Sequence, residues 1–482
     1  MLQLKYLFPD NLSPNNEIEI EPTLLLPFSG ASIDSRTIKK GEIFFAIKGK
    51  NLDGHTYVEK ALNAGAVLAV VVREFSLLKD KRLLYVDDPL KVFHALANKI
   101  RELYNPLTIA ITGSVGKTTT KNFIGGLFSE LAPTVFSKNS FNNEFGIPLT
   151  LVKINDETRY ACIEIGINTI GEMEQLARTV APDVAVITNI GTAHIGRFGS
   201  VDMILKEKSK LLDKLRSGGT AILNADDENL RSLEEGLQSR GVKTIWFGTN
   251  EKSQVQVISK EVVGTSQKLL VSTPRENIEV VISPADAGTM YACLASIAVG
   301  ISADIEPSAI LLGMSHANIE SRLRIRSILQ GRVIDDTYNA SAASILNGIN
   351  LLKETKENAI FVLGDLREVG DYLVDSYSQI LCATKEIGGE IIVVGETSNS
   401  WWEAAKLCQF GGDKLTVVDR WDKAIKILSD KKIPSNTAVF VKGSRFSHLE
   451  RVALFMEGQK STCYKTSCSK YIHCSECSTF NL

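Results

Sequence analysis

The sequence predicts a soluble α/β protein of three successive units, the last built on a doubly wound parallel sheet. Three observations carry this expectation. The chain has 482 residues, more than one hydrophobic core usually organises. Short apolar runs alternate with helix-period stretches along most of its length, the pattern of parallel strands joined by crossover helices. Finally, the apolar run Leu107 to Ile111 passes through a glycine-rich turn into a helical stretch, an order that places a helix N-terminus at the end of a strand.

Residues 1–88 alternate apolar runs and turns, notably EIFFAI, AGAVLAVVV and RLLYVDD, as in a small α/β domain. Ser35, Arg36, Asp53, Gly54 and His55 fall in the loops around its strands. An Arg and a Ser there suit a phosphate or a uracil edge, and ordinary solvated loop residues explain them equally well.

Residues 89–315 contain Thr112 to Thr120, TGSVGKTTT. Gly113 and Gly116 let the backbone turn closely around an anion, with Ser114, Val115 and Thr119 completing the loop. Lys117 supplies a cation for β/γ-phosphates, and the Thr118 hydroxyl suits Mg²⁺. The stretch reads as an ATP site.

Further on, SFNNEFGIPLTL holds Asn142 and Asn143, and RYACIEIGINTIGEMEQLA is a strand ending at Glu164. A carboxylate at that end of a sheet is placed to hold Mg²⁺ on ATP. VAVITNI is another strand, running into a loop with His194, which reads either as a structural histidine or as part of the same site. VDMILKEKSKLL carries Lys206, Lys208 and Lys210, a run that a solvated helix face usually explains. Residues 250–283 look β-rich, and YACLASIAVGI is an all-apolar, hence buried, helix.

From residue 316 to 456 strand and helix units recur: GRVIDDTYNAS, AIFVLGDLREVG, EIIVVGE, KLTVVD and TAVFVKGS. Asp335 and Asp336 close a strand, where a carboxylate either meets a ribose hydroxyl or caps the next helix. Residues 457–482 hold four cysteines and His473. Cys474 and Cys477 have zinc-type C-x-x-C spacing, but so few apolar residues accompany them that a disordered tail is expected. The other four cysteines, Cys162, Cys293, Cys382 and Cys408, are expected to be reduced and buried.

A hydrophobic share of 44%, 23% charged residues and a net charge of -2 are ordinary for a soluble protein and argue against non-specific nucleic-acid binding. The N-terminal residues lack a signal-peptide core, and no apolar run is long enough for a membrane span. A cytoplasmic location is expected.

Taken together, GSVGKTT, NNEFGIPLTL, EIGINTIGEM, TNIGTAHIGRFGS, DDTYNAS and VLGDLREVG resemble the Mur ligases over about residues 30–456. The resemblance implies a central P-loop-type ATPase domain, a C-terminal Rossmann-like domain and an N-terminal domain whose DSR and DGH motifs surround a uridine nucleotide. It implies ATP and two Mg²⁺ ions as cofactors, with Thr118 and Glu164 on one metal, His194 on the second, and a carbamylated Lys206 bridging to metal. Lys117, Lys206 and His194 would be catalytic, while Arg322, Asp336 and Tyr338 would meet the nucleotide from the third domain.

The motifs lie nearest the branch of the family that adds D-alanyl-D-alanine to UDP-N-acetylmuramoyl-tripeptide through an acyl phosphate, acting as a monomer. Val115 stands where the family usually has Asn, NASA replaces NANP at 339–342, and Lys210 replaces an acid. Gly288, Thr289 and Ala292 replace the usual HN and a following N before the buried helix. Two other readings remain: a related amide ligase, such as a folylpolyglutamate synthase, with another amine, and a nucleotide-fold protein that no longer catalyses. Retention of Lys117, Glu164, His194 and Lys206 together argues for catalysis.

Overall fold

The computed structural model describes residues 2–3, 27–49, 52–137, 141–263, 266–316, 324–328, 331–444, 447–459, 463, 465 and 474–477. Three large sheets follow one another along the chain. The first is parallel, in the order β1 (Gly30–Ser32), β2 (Glu42–Phe45), β3 (Leu68–Val72), β4 (Leu83–Val86). Ile43, Phe44 and Phe45 are all buried, so β2 is a continuous apolar run, because both faces of a parallel sheet are covered.

Helix α1 (Pro89–Tyr104) ties this unit to the next. Asp88 caps it by accepting the N–H groups of Leu90 and Lys91, and Pro89 takes the first position, where its missing N–H costs nothing. Its buried face presents Phe93, which stacks on Phe45 with centroids 4.5 Å apart. One hydrophobic core thus runs from the first sheet into the second. Two buried polar contacts fix the helix: His94 Nδ1 lies 2.8 Å from Thr179 Oγ1, and Arg101 donates to Asp183 at 2.7 Å.

The second sheet contains β5 (Leu107–Thr112), β6 (Thr134–Phe136), β7 (Tyr160–Glu164), β8 (Val184–Ile187), β9 (Thr220–Asn224), β10 (Lys243–Gly248), β11 (Val255–Val263), β12 (Ser266–Ser272) and β13 (Asn277–Ile282). Their spatial order is β13-β12-β11-β10-β9-β8-β5-β7-β6. The first six in sequence pair in parallel, and β11 to β13 form an antiparallel extension at one edge, as the β-rich reading of 250–283 anticipated. Helices α2 (Lys117–Leu131), α3 (Gly146–Leu151), α4 (Glu172–Val180), α5 (Val201–Ser209), α6 (Ala287–Ser302) and α7 (Pro307–His316) accompany it. α6 contains the all-apolar run, and Cys293 to Ala295 and Ile297 to Val299 on it are buried.

The third sheet has the order β14-β15-β19-β16-β17-β18, where β14 is Arg324–Ile328, β15 Gly331–Asp335, β16 Asn358–Gly364, β17 Glu390–Val394, β18 Leu415–Val418 and β19 Thr437–Lys442. Only β14 is antiparallel. Crossover helices α8 (Ala342–Thr355), α9 (Leu373–Glu386), α10 (Ser398–Cys408) and α11 (Trp421–Asp430) lie between the strands in sequence, and α12 (Glu450–Met456) follows them.

Two expectations need correction. Cys382 and Cys408 are joined in a disulfide, because α9 and α10 pack side by side and bring their Cα atoms to 5.5 Å; Cys162 and Cys293 are free and buried as expected. The described part of the tail is not detached: Cys474–Glu476 form a short 3-10 turn, and Cys474 and Cys477 pack on Leu454 of α12. The rest of that tail lies outside the described residues.

Candidate active site

Strand β5 has β7 on one side and β8 on the other, and the register sets Ile111 beside Glu164 and Thr112 beside Ile187. The chain leaves β5 toward one edge and returns on the other side, so the strand ends form a crevice at a topological switch point. The glycine-rich loop fills it. Gly113 has φ 146°, and a Cβ there would lie 2.0 Å from Thr188 Oγ1; only glycine fits. Gly116, at φ 86°, starts α2, and no side chain caps that helix. The first turn of the helix and the positive end of its dipole thus face the crevice.

Asn189 holds the loop in shape. Its Oδ1 accepts the Val115 N–H and its Nδ2 donates to the Val115 carbonyl, both at 2.9 Å. The grip is on backbone atoms, which is why valine serves at position 115. Ser114 Oγ accepts the Gly191 N–H at 2.8 Å, and Lys117 Nζ folds onto the Gly113 carbonyl at 2.7 Å.

Glu164 is buried at the foot of the loop. Its two oxygens accept from Thr118 Oγ1 at 2.8 Å and Asn142 Nδ2 at 2.7 Å. Both donors are neutral, so the carboxylate charge has no side-chain cation bonded to it among the described residues. A buried anion without a counter-charge is costly, and two hard oxygen donors side by side suit Mg²⁺. Asn143, expected beside substrate, instead turns its Oδ1 onto the N–H groups of Phe145 and Gly146 at the start of α3.

His194 follows β8 with φ 62°. Its Nδ1 lies 2.5 Å from Glu368 Oε2, and Glu368 also pairs with Arg197. Because Glu368 belongs to the LGDLREVG loop of the third unit, this contact clasps the two units together. Burial lowers the His194 pKa, while Glu368 opposes that shift.

The lysine run is placed otherwise than expected. Lys206 is exposed on the outer face of α5, whereas Lys208 is only 2% exposed. Burial first, and then the nearby charge of Lys117, hold the Lys208 ammonium well below the usual lysine value. The buried members of this helix, Ile204, Glu207 and Lys208, share one face, and Lys206 points away from it. Glu207 accepts the N–H groups of Gly171 and Met173 and pairs with Lys210 at 2.5 Å; Lys210 thus neutralises a buried acid.

The third unit supplies the opposite wall. Asp336 and Tyr338, after β15, line the cleft together with Asn339, Asn347 and Lys442. Lys442, 2% exposed, ends β19 and donates to Asp336 Oδ2 at 2.5 Å. Asp335 turns inward, its Oδ1 accepting the Thr337 N–H and hydroxyl. From the second unit Gly288 and Thr289 also line the cleft, next to Asp286, which caps α6; burial raises the Asp286 pKa. The cleft encloses about 340 Å³, a size suited to a small-molecule ligand. Arg322 lies outside the described residues.

Ser35, Arg36, Asp53, Gly54 and His55 do not line this cleft. Both ring nitrogens of His55 are engaged: Nδ1 with Asp53 at 2.7 Å, and Nε2 accepting the Val72 N–H at 3.1 Å. Gly54 fits because a Cβ would lie 2.7 Å from the Ile47 nitrogen. Asp53, Gly54 and His55 therefore brace the loop after β2 against β3, while Arg36 is exposed and paired with Asp34. Asn189, Lys208, Glu368 and Lys442 are the site residues that motif reading did not single out.

A two-unit cleft with a phosphate loop on one wall, a buried metal-type carboxylate at its foot and an Asp–Lys pair on the facing wall has the make-up of a nucleotide site. The sequence matches the profiles of the Mur ligase family catalytic domain over residues 27–99, the Mur ligase middle domain over 111–300 and the Mur ligase glutamate ligase domain over 321–445. The chain belongs to the Mur ligase family.

Among curated relatives, it is 27% identical to the UDP-N-acetylmuramoyl-tripeptide–D-alanyl-D-alanine ligase of Escherichia coli K12, over 91% of this chain and 95% of that enzyme. It is 32% identical to the ligase of the same name from Bacillus subtilis 168, over 71% and 74%. The crystal structure of MurF from Acinetobacter baumannii superposes with a TM-score of 0.81 at 29% identity, covering 89% of this chain and 93% of that one.

Proposed function

We propose that this chain is an ATP-dependent ligase that joins D-alanyl-D-alanine to UDP-N-acetylmuramoyl-tripeptide in the cytoplasmic synthesis of the peptidoglycan precursor. The observation that carries the proposal is the cleft itself: Lys117, Thr118 and Glu164 on one wall face Asp336, Tyr338 and Lys442 on the other, in a chain whose full-length relatives bear that name. No helix among the described residues is long and apolar enough to cross a membrane. Action as a monomer is part of the same proposal.

The chemistry follows from the residues. The terminal carboxylate of the tripeptide attacks the γ-phosphorus of ATP; a carboxyl O–P bond forms, the β,γ-bridging P–O bond breaks and ADP leaves. The amine of D-alanyl-D-alanine then attacks the acyl carbon, phosphate departs, and the amine loses its proton. The first-turn N–H groups of α2 and the Lys117 ammonium lie where negative charge spreads over phosphoryl oxygens, electrostatic help of the kind phosphoryl transfer requires. The glycine loop brings that help close, and the contacts of Glu368 with His194 and Arg197 hold the third unit against the second, an arrangement that would limit water at the acyl phosphate.

Mg²⁺ fits the site at Thr118 and Glu164, whose buried carboxylate has no bonded cation, and at His194, whose Nδ1 is already oriented by a carboxylate as in many metal-bound imidazoles. When bound, it would withdraw charge from the phosphate oxygens. We assign the carbamylated lysine to Lys208 rather than to Lys206. A buried amine with a lowered pKa is neutral often enough to add CO₂. The resulting carbamate would be an anion within electrostatic reach of Lys117, where an ammonium is repelled. Ser35, Arg36 and Asp53 are proposed to receive the uridine end of the substrate, with His55 holding Asp53 in place. Incubating enzyme, ATP and tripeptide with hydroxylamine in place of dipeptide tests the acyl phosphate: a tripeptide hydroxamate supports it, and ATP cleavage without hydroxamate refutes it.

A further inference from the structure

The four-cysteine tail has no part in the ligase chemistry, yet its described segment is docked onto the third unit at a group of metal-type side chains. His448 and Glu450, at the start of α12, and Cys474, from the tail, are all buried, and one ligand atom of each lies within 4.8 Å of the others. His448 Nδ1 is 3.6 Å from Cys474 Sγ and 3.1 Å from Glu450 Oε1. Tetrahedral zinc, with bonds of about 2.3 Å to sulfur and about 2.0 Å to nitrogen or oxygen, sets these edges at about 3.5 and about 3.3 Å.

A second observation is independent of that spacing. Glu450 is completely buried; its Oε1 also accepts the Cys474 N–H at 3.2 Å, while the other oxygen of the same carboxylate, Oε2, has no hydrogen-bond partner among the described residues. An orphaned oxygen on a buried carboxylate is costly unless a cation meets it. His448 also holds a left-handed backbone, φ 47°, a strained conformation for a non-glycine residue that packing or a ligand must enforce.

We propose that His448, Glu450 and Cys474 bind a zinc ion that staples the C-terminal tail to the ligase domain. Imidazole, carboxylate and thiolate together select zinc over Mg²⁺, which avoids sulfur. Arg451 supports the site from outside: its Nε donates to Cys474 Sγ at 3.4 Å while its guanidinium stacks over Trp421. Cys477 follows in the same turn, its N–H bonded to the Cys474 carbonyl, but it stands outside the three-residue ligand group, so a water would take the fourth position. On binding, the Cys474 thiol gives up its proton and a zinc–sulfur bond forms.

The test uses the full chain with Mg²⁺ in excess, so that the nucleotide site is filled. The chain is stripped with chelator and titrated with Zn²⁺ and, separately, Co²⁺. One equivalent of tightly held zinc is expected, together with a near-ultraviolet thiolate-to-cobalt charge-transfer band that the all-oxygen and imidazole Mg²⁺ site cannot produce. Cys474→Ser and the near-isosteric Glu450→Gln should lose the zinc equivalent, Cys474→Ser should lose the band, and Cys463→Ser should keep both. No zinc uptake and no charge-transfer band in the wild-type chain would overturn the proposal, leaving a hydrogen-bonded staple. So would unchanged zinc binding in folded Cys474→Ser and Glu450→Gln variants.

Discussion

Replacing Lys208 by Met separates catalysis from stability in a way that few site substitutions can. Lys208 is 2% exposed, and burial together with the Lys117 charge holds its pKa well below the ordinary value. A depressed lysine pKa means that protonation favours the unfolded chain, so the unmodified ammonium weakens the fold at every pH below lysine's ordinary pKa. Methionine has nearly the same length and no charge, so Lys208→Met should melt at the wild-type temperature or above it. The ligase should nevertheless suffer: losing one preorganised charged group in a dry site costs about 10²–10³ in kcat, or about 3–4 kcal/mol. Lys206→Met, on the exposed face, should change stability by no more than about 0.5 kcal/mol and leave the rate near wild type. Phosphate release and thermal melts on both variants decide the matter. With ¹³C-bicarbonate, a carbamate NMR signal should appear in wild type and Lys206→Met and vanish in Lys208→Met. A Lys208→Met enzyme with normal turnover, or Lys206→Met as the inactive variant, would refute the assignment.

Three further outcomes follow from the geometry. Gly113→Ala should abolish ATP turnover and destabilise the fold more than Gly116→Ala, because a Cβ at 113 meets Thr188 at 2.0 Å while one at 116 meets nothing within 4 Å; paired melts and phosphate release read both. Asn143→Ala should lower stability by about 1 kcal/mol through its lost bonds to the α3 start with KM unchanged, whereas a large rise in KM would restore it to the substrate site. Burial lowers the His94 pKa from 6.5 to about 4, so protonation favours unfolding: stability is complete above about pH 6.5 and falls as pH drops toward 4, by about 3 kcal/mol in all. Urea unfolding of His94→Gln should show that much less acid sensitivity than wild type, and identical pH curves would contradict it.

The site was legible where the chemistry dictates both residue type and element. TGSVGKTTT between strand and helix, Glu164 at a strand end and His194 at a strand exit can be placed from local order alone, and the cleft gathers them. Reading failed where facing matters. Lys206 and Lys208 differ by two residues, about 200° around a helix, and a run of alternating charges hides the phase. The signal was present in Ile204, Lys208 and Leu211, at helical spacing and all buried or nearly so. Asn142 and Asn143 are a similar case, one donating to Glu164 and the other bonding local backbone.

Lys442, Asn189 and Glu368 escaped for another reason. Each acts on a partner more than 70 residues away, and a single sequence does not reveal which strand ends meet. The tail misled through composition: a polar segment with little to bury still docks when its few cysteines meet a buried histidine and glutamate.

The identity of the two joined substrates is open to direct measurement. Enzyme, ATP, Mg²⁺ and UDP-N-acetylmuramoyl-tripeptide are incubated with D-alanyl-D-alanine, diaminopimelate, lysine or glutamate, with phosphate release and product mass followed together. Sustained phosphate release is expected with D-alanyl-D-alanine alone, together with a product equal in mass to the UDP-N-acetylmuramoyl-tripeptide plus the dipeptide less one water. Turnover with glutamate or diaminopimelate but none with the dipeptide would contradict it.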